Sequence, residues 1–146
     1  MEVLEWRHGD FTISTDRDRF DFEVFHGYLA EDSYWAQGRR PETTKAAIAN
    51  SLIFGAYTTE GVMVGATRVV TDCATFGWLC DLFVLEAFRG EGLGEALVVA
   101  VREHPCLADT KRILLATADA HSLYDKHGFR SLGAPERWME YNGGTV

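Results

Sequence analysis

The stretch Arg89-Gly90-Glu91-Gly92-Leu93-Gly94 joins an apolar run to a segment with helical periodicity, and this junction decides the fold. Its glycines let the backbone approach a ligand closely, the first amides of a helix have no intrahelical partners, and the helix dipole favours an anion. A pyrophosphate is therefore the expected ligand. The spacing is G-x-G-x-G and no Gly-Lys-Ser/Thr follows, so neither the dinucleotide fingerprint nor the P-loop fits. Spacing alone leaves open a tight strand-to-helix turn whose glycines serve only packing.

Secondary-structure signals continue on both sides of this junction. Residues 76–85 are apolar on both faces, as expected for a buried central strand. Leu93, Leu97 and Val101 fall on one helical stripe, which Pro105 ends. The other predicted elements are strands at residues 11–15, 52–58, 62–71, 112–117, 129–132 and 137–141, and helices at residues 18–30, 41–50 and 120–126.

The order of these elements predicts a mixed sheet. The strand, helix and strand between residues 76 and 117 form a crossover unit, so the two strands should be parallel, whereas the hairpin at residues 52–71 should be antiparallel. With 146 residues there is room for one core, and we predict a single α/β domain over residues 1–146. Ligands bind such sheets at the carboxyl ends of parallel strands, beside helix N-termini.

Charge and composition limit the function classes. The chain has 14 Lys and Arg against 22 Asp and Glu, a formal net charge of −8, without a basic run. Nucleic acid and anionic membranes are not expected partners, because phosphate binding needs clustered cations, and a cationic substrate suits the field better. No stretch has the length of a membrane span or the pattern of a signal peptide, which predicts a cytoplasmic protein. Cys73, Cys80 and Cys106 share no metal or redox spacing, so we predict three reduced structural thiols.

Two motifs together indicate a family. Asp81-Leu82-Phe83-Val84 followed by the glycine stretch resembles the Q/R-x-x-G-x-G/A signature of the GNAT superfamily of acetyl-CoA-dependent N-acetyltransferases. Leu123-Tyr124-Asp125-Lys126-His127-Gly128-Phe129 resembles its L-Y-x-K-x-G-F signature. The resemblance implies a twisted mixed sheet of about six to seven strands with about four helices, and a cofactor cleft between splayed parallel central strands.

The resemblance also implies acetyl-CoA as cosubstrate, with no metal. The pantetheine arm would pair with the strand backbone, the amides after Arg89 would hold the pyrophosphate, and Thr117 stands where many members carry Asn to bind the cofactor arm. The implied cofactor-binding residues are Leu82, Phe83, Val84, Arg89, Gly90, Glu91, Gly92, Leu93, Gly94, Glu95 and Thr117.

Direct transfer needs a neutral amine, a donor to the thioester oxygen and an acid for the departing thiolate. The resemblance assigns the acid to Tyr124, and the N–H of Val84 is a candidate donor. The acidic candidate on the central strand is Asp81, either functional or a structural partner of an arginine. Alternation places Asp81 and Phe83 on one face, and a bulge near Val84 would change that. His26 and His121 are further candidates for the base. Trp78 and Cys80 occupy positions where relatives carry a Glu base, which leaves open a water chain or a prior loss of the amine proton to solvent.

The acceptor side is less defined by the sequence. His26, Tyr28, Tyr34 and Trp35 gather polar-tipped aromatic groups around the first helix, and these form either a substrate wall or ordinary packing. We predict transfer of an acetyl group to a primary amine of a small, cationic acceptor. The alternatives are a protein or peptide amine, a non-catalytic acyl-CoA-binding module, or an interaction protein that binds no CoA. A homodimer is left open.

Overall fold

A computed structural model describes residues 1–143 and shows one six-stranded sheet in the order β1-β2-β3-β4-β5-β6. All neighbouring strands are antiparallel except β5 and β6, which are parallel, as predicted. The strands are β1 (Glu5–His8), β2 (Phe11–Ser14), β3 (Leu52–Tyr57), β4 (Met63–Thr71), β5 (Gly77–Val84) and β6 (Ile113–Leu114). The helices are α1 (Phe22–Gly27), α2 (Pro41–Ala49), α3 (Leu93–Glu103), α4 (Pro105–Ala108) and α5 (His121–Asp125).

Two apolar clusters divide the core. On one side, Leu97 and Val101 of α3 pack with sheet residues such as Phe54. In the other cluster, Phe25 of α1 packs with Phe83 and its neighbours. The stripe on α3 recurs at the helical period, and burying each Leu or Val stabilises the fold by about 1.5–3 kcal/mol. No helix within residues 1–143 has the length and apolarity to cross a bilayer.

The first helix is shorter than predicted. It begins at Phe22, because Asp21 caps it by accepting a hydrogen bond from the Val24 amide at 3.1 Å. The chain then widens into a single π turn over Tyr28–Asp32. The hydroxyl of Ser33 closes that turn by donating to the Leu29 carbonyl at 2.6 Å. The periodicity of the apolar residues spans all of these turns and does not reveal the boundary.

The two parallel strands separate soon after they meet. Gly77 pairs with Ile113 and Trp78 with Leu114, and there β6 ends, although the sequence predicted a strand to residue 117. The eight-residue β5 continues for six residues more. This separation opens the cleft that the family resemblance implied.

A β-bulge lies in β5 at Asp81 and not near Val84. Cys80 pairs with Arg68 of β4, and the next paired residue, Phe83, pairs with Ala66. Between these two pairs β5 advances three residues and β4 only two. The extra residue on β5 leaves Asp81 with a φ of +56°, a left-handed conformation that Asp tolerates better than most residues. As a result, Leu79 and Leu82 both pack in the apolar cluster that contains Leu97 and Val101 of α3. Strict alternation would put these two leucines on opposite faces of the sheet.

Some sequence predictions about strands are wrong. The strands expected at residues 129–132 and 137–141 do not form, and Met139 and Tyr141 are exposed. Their alternation is real, but these residues have no strand partner in the described part of the chain. Conversely, β1 was not predicted, because its four residues Glu-Trp-Arg-His carry little apolar signal.

The prediction of three reduced thiols is also wrong. Cys73, in the β4–β5 connection, and Cys106, in α4, form a disulfide with their Cα atoms 4.7 Å apart. The two residues are 33 positions apart, so no local spacing motif could reveal the pair. Cys80 remains the free thiol.

Candidate functional site

The N-terminus of α3 forms a backbone cradle. Gly90 and Gly92 have φ of +86° and +77°, which glycine adopts without strain, and no side chain of the described residues caps the helix at Gly92. The Ala96 amide donates to the Gly92 carbonyl at 3.0 Å. The three amides before Ala96, those of Leu93, Gly94 and Glu95, are therefore directed out of the helix end, where an anion would be stabilised.

His8 of β1 completes this cradle. Its Nε2 lies 2.7 Å from the carbonyl oxygen of Glu91. A Cβ at Gly92 would lie 3.0 Å from the same nitrogen, so the imidazole fills the space a side chain would need. Sequence reasoning missed His8 because it missed the strand that carries it.

The open edge of β5 adjoins the cradle. The Leu85 amide donates to the Val64 carbonyl of β4 at 2.8 Å, so by alternation the amides of Val84 and Leu82 point to the opposite edge. β6 has left that edge by then. The backbone of Phe83 pairs with Ala66 of β4, and its side chain packs in the apolar cluster with Phe25 of α1. Phe83 therefore does not line the cleft.

Arg89 ties the end of β5 to α1. Its Nε donates to the Val84 carbonyl at 3.1 Å and its Nη2 donates to the Tyr28 hydroxyl at 3.1 Å. Tyr28 in turn stacks on Phe83, with ring centroids 4.2 Å apart. Arg89 thus links the last residue of β5 to α1, and Tyr28 does not line the cleft.

A cleft of about 560 Å³ lies where β5 and β6 have separated. Its walls are β5, the connection between α1 and α2, and the segment from residue 116 to α5. Across the mouth, the Ala118 amide donates to the Tyr34 hydroxyl at 2.9 Å. The lining residues are Tyr34, Trp35, Arg39, Arg68, Trp78, Leu79, Cys80, Asp81, Leu82, Ala116, Thr117, Ala118, Asp119, Ala120 and Tyr124.

Tyr124 presents its hydroxyl to this cleft. The side chain is largely buried on α5, its ring packs edge-on against Phe129, and its hydroxyl has no hydrogen-bond partner among residues 1–143. Burial, with smaller contributions from Tyr34 and Asp119, raises the pKa of Tyr124 to about 12. Gly128, with a φ of +90°, reverses the chain after the helix so that Phe129 can reach the ring. The hydroxyl is therefore a protonated donor at neutral pH.

Thr117 lies on the cleft wall. Its hydroxyl oxygen accepts hydrogen bonds from the Ala120 amide at 3.1 Å and the Asp119 amide at 3.4 Å. These bonds hold the turn that precedes α5. The hydroxyl hydrogen remains able to donate into the cleft.

Asp81 is buried on the cleft wall with both carboxylate oxygens engaged. Oδ1 accepts from the Trp35 indole at 2.9 Å, and Oδ2 accepts from Arg39 Nη1 at 3.0 Å and Arg68 Nε at 2.6 Å. Burial alone would raise the pKa of Asp81, but the two guanidinium groups and their hydrogen bonds lower it overall. Of the two roles considered, the contacts are those of a structural partner for arginine.

The remaining predicted residues divide between the cleft and the helices. Tyr34 and Trp35 line the cleft. His26 does not line the cleft: its Nδ1 lies 2.8 Å from the Thr44 hydroxyl and its ring stacks on Phe22, between α1 and α2. His121 is exposed at the start of α5 and does not line the cleft either.

Trp78 and Cys80, which stand where relatives carry a Glu base, line the cleft. Burial, with a smaller contribution from the Asp81 charge, raises the pKa of the Cys80 thiol to about 11, although the Arg68 and Arg39 charges lower it. The thiol is therefore protonated at neutral pH and is a poor base. Arg39 and Arg68 were missed by sequence reasoning. Arg68 is a lone charge in the apolar β4, just as Asp81 is in β5, and that pattern could have paired them.

Comparison with known proteins agrees with this geometry. Residues 49–131 match the family model described as an acetyltransferase (GNAT) domain. This chain belongs to the GNAT acetyltransferase family. The family and the mixed α/β fold expected from the sequence are thereby confirmed.

Several relatives resemble this GNAT chain over most of their length. A solved structure from Xanthomonas campestris pv. campestris, assigned to the GNAT family, is 39% identical, with a TM-score of 0.88 over 91% of this chain and 93% of that one. A Gibberella zeae protein assigned as an acetyltransferase is 28% identical over 84% of this chain and 80% of its own length. A GNAT acetyltransferase from Elizabethkingia anophelis, solved with acetyl-CoA bound, shares the fold at a TM-score of 0.63 and 18% identity, over 84% of this chain and 77% of that one.

Proposed function

We propose that this GNAT acetyltransferase uses acetyl-CoA and moves the acetyl group to a primary amine of a small molecule by direct attack. The observation that carries the proposal is the open edge of β5, which joins the cradle at α3 to the cleft that Tyr124 lines. An unpaired strand edge next to a helix N-terminus suits a ligand with an amide-bearing arm and a pyrophosphate.

The residues present fit this donor. The outward amides at the start of α3 suit the pyrophosphate, and His8 closes the cradle on its far side. The amides of Leu82 and Val84 suit the carbonyl groups of a pantetheine arm. The acetyl-CoA seen in the Elizabethkingia anophelis protein supports the same donor here.

When bound, acetyl-CoA supplies a thioester, whose carbonyl carbon forms a bond to the amine nitrogen as its bond to sulfur breaks. Because its pKa of about 12 keeps the Tyr124 hydroxyl protonated at neutral pH, this hydroxyl would donate its proton to the departing sulfur, and the proton that the amine nitrogen loses as the amide forms would restore the tyrosine. An outward amide of β5, at Leu82 or Val84, polarises the carbonyl oxygen.

The amine must lose a proton before it attacks. Asp81 is committed to Trp35, Arg39 and Arg68, and the Cys80 thiol is protonated, so neither serves as the base. We infer that the acceptor gives up its proton to water in the cleft mouth before attack.

The test is acetyl-CoA turnover, measured by release of free thiol, against a panel of diamines, amino acids, amino sugars, arylamines and peptides with free N-termini. Turnover on a small amine supports the proposal, and exclusive turnover on peptides would replace it with the protein-acetylating alternative. Acetyl-CoA binding without turnover on any member would indicate an acyl-CoA-binding module. A melting temperature unchanged by acetyl-CoA would indicate a protein that binds no CoA.

A further inference from the structure

The charges around the cleft are distributed unevenly. Two guanidinium groups, of Arg39 and Arg68, converge on the single carboxylate of Asp81, so the cluster carries an excess of one positive charge. Its members are mostly buried, with side-chain exposures of 15%, 13% and 2% for Arg39, Arg68 and Asp81. An uncompensated cation in such a place is costly unless an anion joins it.

The donors left over point to where that anion would bind. Arg68 places Nε on Asp81 and Nη1 on the Ser51 hydroxyl at 3.0 Å, which fixes its side chain. Arg39 uses only Nη1, and its Nε and Nη2 have no partner among residues 1–143. Because Arg39 lines the cleft, its free N–H groups form a fork suited to a planar oxyanion.

The opposite wall has the opposite character. Asp119 is exposed on the cleft beside the turn that leads to Tyr124. A cation or amine is stabilised on that side, and an anion on the Arg39 side.

We propose that the acceptor is an amine that also carries an oxyanion, a carboxylate or a phosphate, and that Arg39 binds this group and sets the specificity of the acceptor site. This inference rests on the proposed acetyl transfer for its chemical role, but not for the binding of the anion itself. It differs from the cationic acceptor expected from net charge and from Asp81, because the two arginines more than neutralise that carboxylate.

The test compares four-carbon probes that differ at one end: 4-aminobutyrate, 4-aminobutanamide and 1,4-diaminobutane, with 3-aminopropylphosphonate as the phosphate analogue. The homologues of two to six carbons are run alongside. We expect kcat/KM for one of the two anionic probe types to exceed that of the matched amide and diamine by about 10- to 100-fold, the range of a charge-assisted hydrogen bond. The anionic probe with the higher kcat/KM identifies the oxyanion of the acceptor as a carboxylate or a phosphate.

Variants then assign the effect to Arg39. Arg39→Gln should raise KM for the preferred anionic probe by about 10- to 100-fold and leave KM for acetyl-CoA unchanged, and Arg39→Lys should lose part of this, because it keeps the charge without the fork. The matched control is Arg40→Gln, since the neighbouring Arg40 is exposed and, among residues 1–143, its side chain pairs only with Glu42, at 3.6 Å.

Equilibrium binding separates this inference from the proposed function. Trp35 and Trp78 line the cleft, so intrinsic fluorescence reports binding of each probe without turnover. Binding of an anionic probe that Arg39→Gln weakens supports the anion site even if acetyl transfer is never observed. Equal binding and turnover of the diamine, the amide and the anions, or no effect of Arg39→Gln, overturns the anion site while acetyl transfer can still stand.

Discussion

The Nε of Arg68 lies 2.6 Å from Oδ2 of Asp81, and this ion pair crosses the bulge that gives Asp81 its left-handed backbone. In the register of the two strands, Arg68 stands opposite Cys80. The extra residue in β5 is therefore what brings the carboxylate to the guanidinium. Sheet geometry and cleft charge depend on the same irregularity.

Asp81→Asn should lower the free energy of unfolding by about 3–5 kcal/mol, because it leaves two buried guanidinium groups without their counterion. Asn tolerates the left-handed backbone as well as Asp does, so the variant isolates the charge. Denaturant unfolding at pH 7 measures the loss. The control Glu5→Gln breaks the exposed pair with Arg19 and should cost less than about 1 kcal/mol.

The same pair predicts a pH dependence. The pKa of Asp81 is lowered in the folded protein, so its contribution to stability is present above the ordinary carboxyl pKa and is lost as pH falls through the lowered value. Stability of Asp81→Asn should therefore fall less steeply with acid than that of the parent. Parallel curves of unfolding free energy against pH would contradict an ionised, paired Asp81.

Gly92→Asp should abolish stabilisation by acetyl-CoA, because the new side chain meets His8 and its charge repels the pyrophosphate. For the parent, ligand at about 100 times its Kd adds about 2.7 kcal/mol, or roughly 5–10 °C in melting temperature for a chain of this size. Gly61→Asp is the matched control, since Gly61 has a φ of +83° in the β3–β4 turn with open space around it. Both variants carry backbone strain, but only Gly92→Asp should lose the shift of melting temperature that acetyl-CoA produces. Equal shifts in the two variants would place the cofactor cradle elsewhere.

Tyr124→Phe should lower kcat by about 10²- to 10⁴-fold while the melting shift with acetyl-CoA is retained, because the ring stays and the proton donor is lost. Tyr57→Phe is the matched control: the Tyr57 hydroxyl is buried without a hydrogen-bond partner among the described residues, so its removal should leave turnover unchanged. Undiminished turnover in Tyr124→Phe would remove this residue from the mechanism.

Tyr57 and Tyr124 also predict how the protein titrates at alkaline pH. Burial is the main cause that raises the pKa of both Tyr57 and Tyr124 to about 12. Their contribution to stability is complete below the ordinary tyrosine pKa near 10 and is lost as pH rises toward 12. Tyrosinate absorbance should show two groups that ionise near pH 12, and each Phe variant should remove one of them.

The disulfide should be visible as a thiol count. Titration of the unfolded, unreduced protein should find one free thiol, that of Cys80, out of three cysteines. The double variant Cys73→Ser and Cys106→Ser should lose about 3–4 kcal/mol by the chain-entropy estimate for a loop of this length. Three free thiols in the unreduced protein would contradict the bond.

The sequence predicted those parts of the site that depend on local pattern. The cradle at Gly92 and the helix after it follow from glycine spacing and a 3.6-residue period, and the place of Tyr124 follows from the motif around it. Asp81 was located but its partners were not, because Arg39 and Arg68 reach it through long-range packing and a bulge that alternation cannot reveal. The aromatic neighbours of His26 are consistent with a site or with helix packing, and its contact with Thr44, 18 residues away, is another long-range contact that the sequence does not reveal.

The short β6 has a consequence for local unfolding. Two residue pairs join this strand to the sheet, whereas β4 and β5 pair along most of their length. Amide hydrogens in residues 113–125 should therefore exchange with solvent through openings that cost less free energy than global unfolding, while those of β4 exchange only when the whole chain opens. Thr117 belongs to this segment, whose end Tyr124 anchors against α3, and the hydrogen bond from the Ala118 amide to Tyr34 fastens it to the α1–α2 connection. Ligands that fill the cleft would slow exchange there first, and part of their binding free energy would be spent on closing this wall.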